Sequence, residues 1–193
     1  MTWLLQIVRS FLFSYPFARF RNTTSQTATL IREYMPSVHR TLYGLAAGMV
    51  EIEKHASDAV NNNNTTSSND TITTTTDTEQ QQQEEDRLLL TAAQHELEEE
   101  CRLQGGTWIR LTHTNIAMDK YSTTGLHVYL VLDPHPIDVQ KAKPRDVTEE
   151  GMTVHAGITV RQIEHLIVNG DMTVVGGWAS LLALHKLREM GEI

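Results

Sequence analysis

The segment Ala92-Ala93-Gln94-His95-Glu96-Leu97-Glu98-Glu99-Glu100-Cys101-Arg102-Leu103 leaves the chain little choice but a helix. Leu, Ala, Gln and Glu are strong helix formers, and no Gly or Pro interrupts them. The helix is expected over Leu88 to Leu103, with Gly105-Gly106 as its stop. At 100° per residue, Glu96, Glu99 and Glu100 share about 100° of arc. Leu90, Ala93, Leu97 and Cys101 form the adjacent stripe, expected to face the core, and Glu98 points elsewhere, towards water. Three like charges at this spacing cost an isolated helix roughly a few tenths of a kcal/mol per pair. A hard divalent cation such as Mg²⁺, which takes oxygen ligands, removes that cost. Glu-rich helices are also commonly just solvated faces, so spacing alone leaves both readings open.

The rest of the composition narrows the classes. The chain has 193 residues, enough for one domain with a real core. A net charge of −8 argues against nucleic acid as a partner, since no basic excess exists to neutralise phosphates. Cys101 is the one cysteine, which excludes an internal disulfide framework and a cysteine-rich zinc site. No apolar run is long enough for stable membrane insertion. Residues 1–26 read as an N-terminal extension. Met1 to Ile31 holds no Asp or Glu but carries Arg9, Arg19 and Arg21, a pattern shared with organelle-targeting segments; the plain alternative is a strand or helix packed on the domain. The expected compartment is intracellular, cytoplasmic unless that segment targets an organelle. Asn61 to Gln83 is low in complexity and nearly free of apolar residues. Such a tract cannot offset its ordering entropy, so a disordered insertion is expected over about 61–86 within a domain spanning 27–193.

Strands are expected at Thr27 to Ile31, at Trp108 to Thr112, at His127 to Leu132 and at Val154 to Ile158, with a further apolar run at Thr41 to Val50. Thr159 and Gln162 form a capping-box pattern opening a helix to Val168, closed by Asn169-Gly170. Trp178 to Met190 reads as a second helix, with Leu181, Leu182, Leu184 and Leu187 near one side and Gly191 as its stop. Strands and helices mix without regular alternation, which predicts an α+β fold with a mixed sheet between helices.

His95 to Leu103 resembles the second half of the Nudix box, Arg-Glu-apolar-x-Glu-Glu-x-Gly-apolar. Glu96, Leu97, Glu99, Glu100 and Leu103 match it; His95 stands for the Arg and Arg102 for the Gly. Gly44-Leu45-Ala46-Ala47-Gly48-Met49-Val50-Glu51 is similar to the Pro-Ala-Gly strand-loop that precedes the box in the ADP-ribose and ADP-sugar branch, with Ala46 in place of Pro. Leu30-Ile31-Arg32-Glu33-Tyr34 resembles the strand before it. The first half of the box departs more. The interval from Gly48 to Glu96 is far longer than the family's, and Lys54 falls where a Glu is usual.

The resemblance implies a Nudix-type sandwich. It also implies hydrolysis of the diphosphate bond in a nucleoside diphosphate sugar such as ADP-ribose or ADP-glucose, with Mg²⁺ or Mn²⁺ as cofactor. Glu96, Glu99, Glu100 and the Ala47 carbonyl become the implied metal ligands. Glu99, and Glu149 or Glu150 in the loop before the last strand, become the implied catalytic groups. A solvated loop is the plain alternative for Glu149-Glu150. The partner is then a small nucleotide sugar, and relatives in this branch are often homodimers. The changes at His95, Arg102 and Lys54 keep a second reading open, a Nudix-fold nucleotide-binding module with weak or no catalysis.

Overall fold

A computed structural model describes residues 12–21, 26–50, 76–114, 116–117, 125–138 and 151–193. Among these the strands in chain order are β1 (Leu12–Arg21), β2 (Gln26–Met35), β3 (Arg40–Gly44), β4 (Gly48–Val50), β5 (Leu103–Gln104), β6 (Thr107–Arg110), β7 (Ile116–Ala117), β8 (Gly125–Leu132), β9 (His135–Pro136) and β10 (Thr153–Thr159). The helices are α1 (Thr76–Cys101), α2 (Val160–Val168) and α3 (Val174–Glu189).

The main sheet runs β10-β2-β1-β8-β6, with β3 on β2, β4 on β1 and β7 on β8; β5 and β9 form a separate small pair. It is mixed because β1 and β8 are parallel, from Leu12↔Gly125 to Arg19↔Leu132, while the other pairs are antiparallel. Strand periodicity explains the layering. Successive side chains point to opposite faces. Phe17, Leu30, Val128 and Leu130 join Ile163 of α2 and Leu184 and Leu187 of α3 in one core cluster. Their neighbours Ala18, Ile31 and Val131 join Leu97 and Cys101 of α1 in a second. The sheet therefore lies between α1 and the α2–α3 pair, and β8 is buried along almost its whole length. Such a strand reads as an unbroken apolar run.

The helix ends follow their sequence signals. Gln162 N–H donates to the Thr159 hydroxyl, and Thr159 N–H donates to Gln162 Oε1 at 2.8 Å, completing the capping box of α2. Thr173 caps α3 by accepting from Gly176 N–H at 3.2 Å. That start lies four residues before Trp178, the expected one. Leu184 and Leu187 are buried, but Leu181 is half exposed and lies off that stripe.

Three expectations need correction. The domain boundary moves towards the N-terminus: Leu12–Arg21 is no extension but sits within the sheet, paired on both edges. Pro16 masks it in the sequence. It falls between the stretch of β1 paired with β4 and the stretch paired with β2, where a residue without an N–H is tolerated. Second, α1 begins at Thr76, so residues 76–86 of the expected insertion are helical. Gln and Glu propagate a helix well, and the pairs Gln82–Asp86 and Glu84–Arg87 support it locally. Third, α1 stops at Cys101 rather than at the glycines; Arg102 takes the left-handed conformation (φ 58°) that ends it. Residues 1–11, 61–75, Lys54, Glu149 and Glu150 lie outside the described residues. No described helix is long and apolar enough to cross a membrane.

Candidate active site

The chain passes from β3, which pairs with β2, to β4, which pairs with β1, through Leu45-Ala46-Ala47. Leu45 packs into the core on the α2–α3 side and Ala46 into the core under α1, so both faces pin this crossing. The crossing is thereby held against the last turns of α1.

Two carboxylates of that helix meet it. Glu100 is 5% exposed, and its Oε2 accepts the Ala47 N–H at 2.9 Å. Glu96, one turn earlier, lies on the Cα of Gly48: a Cβ there would stand 1.7 Å from Glu96 Oε1 and 1.9 Å from its carboxyl carbon. No side chain larger than hydrogen coexists with Glu96 in that position. Glu99 is half-buried on the same helix. The structure thus brings Glu96, Glu100, Ala47 and Gly48 together. The contact it gives Ala47 is through the amide, whereas the carbonyl is the expected ligand. Among the described residues no group of three or more His, Cys, Asp or Glu side chains closes a cage around a metal.

The departures from the box take physical form here. Arg102 replaces the usual Gly at a position whose positive φ suits Gly, and bears the steric cost of an L side chain there. Its carbonyl accepts the Ile137 N–H at 3.0 Å, tying the helix end to the segment after β9. His95 is half-buried on α1, in place of the usual Arg.

Sequence reasoning missed a polar cluster beneath the middle of α1. Arg110 of β6 binds Asp86 of α1, donates to the Thr112 carbonyl at 2.7 Å, and lies 3.1 Å from Nδ1 of His127 on β8. A guanidinium only donates, so Nδ1 accepts and the neutral ring carries its proton on Nε2. Burial pushes the His127 pKa below its ordinary value, and the Arg110 charge adds to the shift. Burial pushes the Tyr129 phenol up. His127 Nε2 and the Tyr129 hydroxyl are buried without a partner among the described residues. The available signal was a histidine inside an otherwise apolar strand, where a polar group must find a partner.

No family model matches the chain, and no curated protein matches it in sequence. Among solved structures it is similar to one described as an ADP compounds hydrolase, with a TM-score of 0.59 and 14% identity over 94% of this chain and 76% of the other. The fold is of the Nudix type. It is the α+β sandwich, mixed sheet between helices, expected from the element pattern and the box.

Proposed function

We propose that the chain is a divalent-metal-dependent hydrolase of the diphosphate bond in a nucleoside diphosphate sugar such as ADP-ribose or ADP-glucose, releasing a nucleoside monophosphate and a sugar phosphate. One observation carries this reading: Glu96 and Glu100 are held together against the Ala47-Gly48 crossing, two carboxylates on one rigid support. The shared fold of a solved ADP compounds hydrolase supports it.

The donor set suits the cation. Mg²⁺ is commonly held by one or two carboxylates together with substrate phosphates rather than by an all-protein cage. Glu96 and Glu100 on the crossing offer two such carboxylates. Glu96 and Glu100 would hold the ion, with Glu99 and the Ala47 carbonyl as further candidate donors. Bound there, Mg²⁺ or Mn²⁺ supplies charge neutralisation and polarisation of the diphosphate. The need is clear from charge alone, since a chain of net charge −8 meets an anionic substrate.

The chain's own groups do the rest. The Ala47 amide, a donor fixed in the backbone, orients Glu100. Gly48 leaves the space Glu96 occupies. Glu99, or Glu149 or Glu150, takes the proton of the attacking water in this reading.

The test is AMP release from ADP-ribose with Mg²⁺, read beside the thermal shift that Mg²⁺ alone produces. Glu100→Gln keeps an oxygen for the Ala47 amide and loses the charge. It should lower turnover roughly a hundredfold or more, the scale on which one electrostatic stabiliser acts. It should also abolish the Mg²⁺-induced rise in melting temperature. Unchanged turnover or a lost fold would sink the role of Glu100. The changed His95 and Arg102 positions favour a second reading, a nucleotide-binding module; saturable ADP-ribose binding without AMP release is its signature.

A further inference from the structure

The other flank of α1 forms one wall of a separate cavity of about 320 Å³, lined by Gln94, Glu98, Gln104, Gly105, Trp108 and His135. Gln94 and Glu98 are one turn apart, about 100° or more around the helix from Glu96, Glu99 and Glu100. The cavity is therefore distinct from the carboxylate face.

Its aromatic parts are fixed by the fold. The Trp108 indole N–H donates to the Gly105 carbonyl at 3.0 Å, and its ring meets Tyr129 edge-on at 5.9 Å. The His135 ring lies against Gly105, where a Cβ would stand 2.5 Å from Cε1 and where φ is +68°. The polar parts are uncommitted. Among the described residues, the side chains of Gln94, Glu98, Gln104 and His135 make no hydrogen bond or ion pair. Among the described residues of the lining, Glu98 is the one carboxylate, and no Lys or Arg accompanies it.

A fixed indole, a carboxylate and two carboxamides in one pocket suit a cation and repel a phosphate. We propose that this cavity binds a small organic cation bearing an ammonium or guanidinium group. The cation's N–H groups donate to the Glu98 carboxylate and to the carboxamide oxygens of Gln94 and Gln104, and its charged end lies by the Trp108 ring. The volume is at the small end for ligand pockets, right for a short diamine or guanidino compound. The chain's net negative charge raises the local concentration of such ligands.

Calorimetric titration of the full chain with agmatine, at low salt and pH 7.5, decides the matter. One-to-one binding is expected, weakened at least tenfold in Glu98→Gln and severalfold in Trp108→Phe, and unchanged in Glu100→Gln. Glu98→Gln should melt as the native chain does and keep any hydrolysis of ADP-ribose, so this proposal and the diphosphatase reading fail separately. No binding, equal binding by Glu98→Gln, equal loss in Glu100→Gln, or displacement of agmatine by AMP would each overturn it.

Discussion

Gly48 is the residue at which a single methyl group decides the geometry of the carboxylates. An added Cβ would overlap Glu96 Oε1 and the carboxyl carbon behind it, so Glu96 must swing away. The clashing atoms are the end of a flexible side chain, which can move. Gly48→Ala should therefore change stability by less than about 1 kcal/mol. On the proposed diphosphatase reading it should lower ADP-ribose turnover roughly a hundredfold, the cost of a small misplacement at a reacting centre. Parallel melting and AMP-release measurements read the two effects apart; intact turnover would show that Glu96 need not sit on the crossing. At this scale much of the site was legible. Helical spacing alone put Glu96, Glu99 and Glu100 on one side of α1. The burial of Glu100 was not legible, because it depends on a crossing some fifty residues away in sequence. Cys101 was correctly placed in the core by the same helical arithmetic.

Helix α1 ties its elements together by two means, an apolar stripe and the Asp86–Arg110–His127 link to β6 and β8. The link gives a pH dependence with a definite sign. Burial and the Arg110 charge depress the His127 pKa in the folded chain, while the unfolded chain titrates near the ordinary value of about 6.5. The unfolded state thus binds the proton first as the pH falls. The contribution is fully present above pH 6.5 and is lost as the pH drops towards the depressed folded value. His127→Gln removes the titration, so its melting temperature should fall less than the native chain's between pH 7.5 and pH 5.5. Equal slopes would mean that His127 does not hold this balance. Local signals served well where the interaction is local, as with the Thr159–Gln162 box. They did not decide β1, whose Arg-bearing, acid-free sequence leaves a targeting segment and a packed strand both open until its strand partners are known. They failed at Thr76–Asp86, where a polar composition concealed good helix formers.

Across the whole molecule, one buried charge joins the two ends of the described chain. Arg19 of β1 is 1% exposed; its guanidinium donates to Glu192 at 2.5 Å and to Gln26 at 3.1 Å, with Asp133 at 3.8 Å. Removing the charge of Glu192 leaves a cation in the interior with weaker compensation. Glu192→Gln should cost about 1.5–3 kcal/mol, the usual worth of a hydrogen bond to a charged group. Urea unfolding measures it, and an unchanged midpoint would show that Asp133 suffices. The pairing of β1 with β8 has another consequence, this one in time. More than a hundred residues separate the two strands in the chain. During synthesis β1 leaves the ribosome long before β8 exists, so the heart of the sheet cannot close until most of the polypeptide is made. The nascent protein should be most prone to aggregation, and most in need of chaperones, in that interval.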